Sequence, residues 1–200
     1  YGGLGLSMEE QVRLTFEFCQ ASCVYRSRFS TTIGLTSQAI LDFATEEQKE
    51  KYLPKMARGR CTGAFALTEP EAGSDAGSLK TTAERHGNDG WIINGEKRYL
   101  TNAPQADVFL VMARTDPSST GIRVGDPPKM LGNEGSHACY VWFENCEVPA
   151  DSIVGGQEGR GLKAALRGIN HARLHVAATC VGQAIRLITE MTKYASKREQ

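Results

Sequence analysis

Leu162, Leu166, Ile169, Val176, Val181, Ile185, Ile188 and Tyr194 recur at helical spacing and keep one apolar face for about ten turns. A helix of that length is held by packing, not by propensity, so it demands other elements to lie against. After Tyr194 the sequence runs to Lys197-Arg198-Glu199-Gln200 with no second helical pattern. The partner helices are therefore expected outside these residues, and 156–200 reads as the first long helix of a C-terminal helical bundle.

The period upstream is different. Over 61–155 short runs of β-branched and aromatic residues alternate with Gly, Asn and Asp, the pattern of strands and turns. Strands are expected at Thr62–Thr68, Leu79–His86, Trp91–Asn94, Glu96–Thr101, Val108–Met112 and Ala138–Val148. Gly87-Asn88-Asp89-Gly90 reads as a turn and Asn94-Gly95 as a two-residue hairpin. Val108–Met112 is apolar throughout, as in a strand covered on both faces. Over 1–60 the chain is helical again. Ser7 and Glu10 form a capping box before one helix, Thr45 and Gln48 repeat the device before another that stops at Arg58-Gly59, and a helix is expected between them from Ile33 to Phe43. The order helix, β, helix is not a βαβ alternation, and no GxGxxG or GxxxxGK(S/T) is present, which argues against a Rossmann fold. The expected class is α+β multidomain: N-terminal helices over 1–60, a central antiparallel β-barrel-like domain over 61–155, and the start of the bundle over 156–200.

Composition removes several functions. Lys plus Arg and Asp plus Glu are 23 each, so no basic field draws the chain to nucleic acid. No apolar run reaches the roughly 20 residues of a membrane helix. Residues 1–6 lack the regions of a signal peptide. Six cysteines form no CxxC pair and sit in apolar stretches, the pattern of reduced thiols. His171 and His175 have the i, i+4 spacing of paired metal ligands, but no Glu lies between them and no third ligand is evident, so no metal is expected.

The chemistry concentrates in Phe65-Ala66-Leu67-Thr68-Glu69-Pro70-Glu71-Ala72-Gly73-Ser74-Asp75. A strand enters a turn in which Pro70 fixes one φ and Gly73 permits φ > 0. Such a turn can aim backbone N–H groups and the Ser74 hydroxyl at one anion. On the residues alone, an ordinary β-turn with Pro/Gly chemistry is the favoured reading.

The segment resembles the TEPxAGSD signature of the acyl-CoA dehydrogenase family, and its surroundings agree. The family follows this loop with an aromatic-(Ile/Leu)-Thr-Asn strand and then F-E-x-x-x-V-P. This chain has Tyr99-Leu100-Thr101-Asn102 and Phe143-Glu144-Asn145-Cys146-Glu147-Val148-Pro149. Glu47–Pro54 and Gly159-Arg160-Gly161 match further family positions, and the resemblance spans the chain.

The resemblance implies the acyl-CoA dehydrogenase fold and an FAD-dependent oxidoreductase. The reaction it implies would be α,β-dehydrogenation of an acyl-CoA thioester to trans-2-enoyl-CoA, with electrons passed to an electron-transfer flavoprotein. Phe65, Leu67, Thr68, Gly73 and Ser74 would line the flavin and pyrophosphate. Tyr99, Leu100 and Thr101 would face the isoalloxazine, with the Thr101 hydroxyl at N5. Ser74, Asn170 and Arg173 would contact the acyl-CoA, and Arg198 would reach the FAD of a neighbouring subunit in a homodimer or homotetramer. A bacterial protein of this kind would be cytoplasmic and a eukaryotic one would lie in the mitochondrial matrix. The chain departs from the pattern at Tyr99, where Trp is commoner, and at Asn170, where Asp is frequent. The catalytic Glu of most members would lie beyond Gln200. Where a smaller group carries it, directly before the Arg, this chain has Ala172. Relatives also insert a strand and turn within the stretch matching Gly121-Ile122-Arg123-Val124-Gly125. The alternatives the resemblance leaves are an acyl-CoA oxidase-like flavoenzyme and a non-catalytic flavin- or acyl-CoA-binding homologue.

Overall fold

A computed structural model of the chain describes residues 1–87, 90–115, 121–133 and 135–199. The N-terminal helices start where their caps dictate. In α1 (Met8–Ala21) and α4 (Glu46–Ala57) both halves of each capping box form, Ser7 with Glu10 and Thr45 with Gln48. The helix expected from Ile33 starts ten residues earlier. α2 (Cys23–Ser30), capped by the Ser22 side chain, runs through a π-helical segment (Thr31–Thr36) into α3 (Ser37–Phe43). Four of the six π-segment residues are buried, so tertiary packing, not propensity, carries a stretch of three Thr and a Gly that reads as non-helical.

The middle of the chain builds two sheets. β1 (Gly63–Ala66) pairs with β4 (Val108–Val111), and β2 (Thr82–His86), β3 (Gly90–Thr101), β6 (Ala138–Pro149) and β5 (Gly121–Val124) form an antiparallel sheet in the order β2-β3-β6-β5. The expected antiparallel domain is corrected at one pair: β1 and β4 run parallel. As anticipated for β4, both faces of that pair are covered. Leu67, Leu110 and Met112 join Ala39 and Ala165 on the helical side, and Ala66, Phe109 and Val111 pack with Leu100, Cys139, Val141 and Phe143 on the other.

The Asn94-Gly95 hairpin does not exist. β3 is one strand of 12 residues with register shifts against β6 between Ile93 and Gly95 and between Lys97 and Leu100. Gly95, at φ +148°, faces Thr81, and a Cβ there would lie 2.2 Å from the Thr81 Oγ1. The glycine admits a crossing backbone instead of turning its own. Of the Gly87–Gly90 turn, Asn88 and Asp89 lie outside the described residues. Gly121–Val124 is the edge strand of the larger sheet, paired to β6.

The long helix is α5 (Gly161–Ala195), 35 residues. Its buried stripe is Ala164, Ala165, Gly168, His175, Ala178, Thr179 and Gly182, while Leu162, Leu166, Val176, Val181, Ile185, Ile188 and Tyr194 are exposed. The apolar face read from the periodicity therefore points away from the N-terminal helices. Small residues win the contact because the backbones come close: a Cβ on Gly182 would lie 2.5 Å from the Phe16 carbonyl oxygen in α1.

Candidate functional site

The loop from Leu67 to Thr81 leaves β1, crosses β3 and enters β2. Two bonds bind its start to β3. The Arg98 N–H donates to the Thr68 carbonyl at 2.8 Å, and Lys97 Nζ donates to the Leu67 carbonyl at 3.1 Å. Lys97 is completely buried, and its two other bonds go to Glu69 Oε1 (2.7 Å) and the Met112 carbonyl (2.6 Å). The Glu69 carboxylate also takes the backbone N–H groups of Lys80 and Thr81. One buried carboxylate thus closes the base of the loop, and one buried ammonium ties that base to β3 and β4.

Burial works to raise the Glu69 pKa, but the Lys80 N–H, the Lys97 ammonium and the Thr81 donors outweigh it and hold the carboxyl below its ordinary range. Burial pushes Lys97 down, with Glu69 opposing. Lys97 was missed in the sequence because two bulges break the alternation of β3, and Glu69 because its buried partner lies 28 positions away. The buried positions of β3, Trp91, Asn94, Lys97 and Leu100, fall every third residue instead of every second.

Above this base lies an open side. Tyr99 sits at φ +60°, a left-handed value that is uncommon outside glycine. That bulge leaves its ring 58% exposed and turns Leu100 under into the core, 1% exposed. The ring meets Tyr140 edge-on at 5.8 Å. Thr68 and Thr101 are half-buried, and Gly73 and Ser74 are exposed. Among the described residues, the backbone N–H groups of Thr68, Gly73 and Ser74 donate to no backbone carbonyl. Gly73 is not left-handed, contrary to the expectation for the turn. A Cβ there would meet nothing within 4 Å, so the space beside the loop is open. The turn is closed instead by Glu69 and Ala72, whose N–H groups bond each other's carbonyls.

Leu67 and Thr68 thus lie against β3 just before Tyr99, Leu100 and Thr101; Leu67 and Leu100 are buried as packing, Phe65 packs on the Leu67 cluster, and Gly73 and Ser74 are exposed further along the same loop. α5 borders it through Ala165 and Ile169, which pack on the cluster of Leu67 and Ala72. Asn170 and Arg173 follow on exposed helix surface, joined by an Arg173 Nη1 to Asn170 Oδ1 bond of 3.3 Å. Arg198 is not brought to the site. It lies past the far end of α5 against Tyr194, roughly 40 Å from Asn170 by helical rise.

His175 is a core residue, with Nδ1 3.1 Å from the Ser30 Oγ. Among the described residues no group of three His, Cys, Asp or Glu side chains is placed to hold a metal.

This assembly, helices over a two-sheet middle with a long helix closing one side, is the acyl-CoA dehydrogenase fold. Three models of that family match in order: the N-terminal domain over 1–60, the middle domain over 64–146 and the C-terminal domain over 159–200. The chain belongs to the acyl-CoA dehydrogenase family. It is 35% identical over 214 residues to an acyl-CoA dehydrogenase of Bacillus subtilis, covering 100% of this chain and 56% of that protein. A chain in the structure "Electron transferring flavoprotein of Acidaminococcus fermentans" superposes with TM-score 0.93 at 35% identity, over 100% of this chain and 56% of that one. A Mycobacterium smegmatis glutaryl-CoA dehydrogenase in complex with FADH2 superposes at 0.90 and 30% identity, over 98% and 52%. The chain spans about half the length of the relatives it matches.

Proposed function

We propose that the protein is an FAD-dependent oxidoreductase that dehydrogenates an acyl-CoA at Cα–Cβ to the trans-2-enoyl thioester and passes the electrons to an electron-transfer flavoprotein. The observation that carries the reading is the join of two segments far apart in sequence. The Arg98-to-Thr68 and Lys97-to-Leu67 bonds set the exposed Tyr99 ring and Thr101 beside a loop with unspent backbone donors. A group with a flat ring and a pyrophosphate fits such an arrangement: a ring face, open space at Gly73, and N–H donors.

In this reading Phe65, Leu67, Thr68, Gly73 and Ser74 hold FAD from the loop side, and Tyr99, Leu100 and Thr101 hold it from the strand side. When bound, FAD supplies the hydride acceptor. Stacking on Tyr99 contributes about 0.5–1.5 kcal/mol beyond the area covered. The Thr101 hydroxyl is assigned to the N5 edge, where a donor stabilises charge as hydride arrives. Ser74, Asn170 and Arg173 orient the acyl-CoA, and the Arg173 guanidinium suits its phosphates. Ala172 offers no atom that can take the α-proton, so the carboxylate base is assigned to residues outside 1–200. The distance of Arg198 from the loop fits a role toward the FAD of a second subunit, in a homodimer or homotetramer divided as 1–60, 61–155 and 156–200 in each chain. Among the described residues no helix is long and apolar enough to cross a membrane. The reading places the enzyme in a bacterial cytoplasm or a mitochondrial matrix.

Anaerobic titration of the full-length protein with acyl-CoAs of several chain lengths tests the reading. The flavin absorbance is expected to bleach with at least one of them, and a flavin that none bleaches ends the assignment. Oxygen consumption in place of electron-transfer-flavoprotein reduction would move the protein to the oxidases.

A further inference from the structure

Lys97 has no exposed surface, and its ammonium has three N–H groups with three acceptors, the Leu67 carbonyl, the Met112 carbonyl and Glu69 Oε1. A buried ion pair is weak evidence of a stabilising purpose, because apolar residues of similar volume often do as well. The position of the first acceptor gives the charge another use. No peptide bond described is cis, and in a trans peptide the C=O and the following N–H point in opposite directions. Drawing the Leu67 carbonyl onto Lys97 therefore turns the Thr68 N–H away from the buried ammonium. The next two groups along the loop are already occupied: the Thr68 carbonyl takes the Arg98 N–H, and the Glu69 N–H goes to the Ala72 carbonyl. Of these groups at the loop base, the Thr68 N–H is the one left to meet a ligand.

We propose that Lys97 is a positioning residue for the flavin, one that aims the Thr68 N–H at the ring and strengthens it as a donor to the reduced form. The inference rests on the FAD reading above. A cationic donor on the Leu67 carbonyl polarises that peptide group, and polarisation passes along a hydrogen-bonded chain in a low-dielectric interior. A stronger donor on the ring side favours whichever redox state carries more negative charge, which is the reduced one. Glu69 favours the charged form of Lys97 but does not touch the Leu67 carbonyl, so its removal alone leaves the bond that aims the Thr68 N–H.

The experiment uses the full-length protein loaded with FAD and compares wild type, Glu69→Gln and the double variant Glu69→Gln/Lys97→Met, which leaves no lone buried charge. The readouts are the flavin midpoint potential, the visible spectrum and the FAD dissociation constant. The double variant is expected to lose about tenfold in preference for reduced over oxidised flavin. That corresponds to a midpoint about 30 mV lower for a two-electron couple, with a shifted flavin absorption band. Glu69→Gln alone, which keeps the Lys97-to-Leu67 bond but removes the carboxylate that favours the charged ammonium, is expected to fall between the two. An unchanged potential in the double variant overturns the positioning role, and so does an equal drop in Glu69→Gln. A wild type that takes up no FAD instead overturns the functional reading beneath it. Should the double variant not fold, the Thr68 amide decides in threonine-labelled wild type: its proton resonance is expected to move downfield on flavin reduction, and an unmoved resonance overturns the proposal.

Discussion

The loop base and α5 both invert the simple rule of apolar inside and polar outside, and they do so differently. At the loop base a Lys and a Glu are buried while Gly73, Ser74 and the Tyr99 ring are exposed. In α5 alanines and glycines are buried while Leu162, Leu166, Val181, Leu187 and Ile188 are exposed. The first inversion is complete in itself, because every donor of Lys97 has an acceptor and the carboxylate has three donors. The second is complete on one face only. Its small-residue stripe fits α1 closely, but its large side chains lie on the opposite face, where they contribute little to this fold. Charge is buried where it ties the base of a loop, and small residues are buried where two backbones approach.

Breaking the loop base is expected to have the largest effect. Lys97→Met strands the Glu69 carboxylate and should cost about 3–5 kcal/mol, or roughly 10 °C in Tm for a chain of this size, measured by thermal unfolding. A loss under 1 kcal/mol would show the pair to be replaceable packing. The α1–α5 contact is next. Gly182→Ala drives a methyl against the Phe16 carbonyl and should cost about 1–3 kcal/mol, and an unchanged denaturation midpoint would mean the helices stand further apart than described.

The acid limb sharpens the comparison. The folded chain holds the Glu69 carboxyl below its ordinary range, so the unfolded chain takes up that proton first. The stabilisation is complete at neutral pH and is lost as pH falls through the carboxylate range. Tm measured against pH should therefore fall less steeply below about pH 4.5 in Glu69→Gln, and parallel acid limbs would refute it. Thr101→Val should cost no more than about 0.5 kcal/mol, or about 2 °C in Tm, while slowing flavin reduction in stopped flow, and wild-type reduction kinetics would remove the N5 role. Smallest of all, Leu187→Gln on the exposed face of α5 should change stability by no more than about 0.5 kcal/mol. A larger loss by chemical denaturation would reveal a partner already covering that face.

Much of this was legible in order and type. The caps at Ser7 and Thr45 start their helices because a capping box is closed within four residues. The apolar run at Val108 marks a strand covered on both faces, and the start of the loop, at Leu67 and Thr68, is bonded to β3 at Lys97 and Arg98. The failures share one cause. Asn94-Gly95 is a strong hairpin signal taken alone, yet Thr81 occupies the space beside Gly95 and β3 continues through a bulge. Gly73 permits a left-handed turn, yet the Glu69–Ala72 bonds close the loop without one.

Local chemistry by itself determined where helices start, which stretch is β and which loop carries the polar groups, because those outcomes depend on residues within a few positions of each other. Tertiary structure alone decided which face of α5 is buried, that β1 and β4 run parallel, and that a lysine and a glutamate 28 positions apart support the site. Those outcomes depend on how closely separate backbones approach and on whether a buried charge finds its partners, and neither quantity is written in any short run of residues.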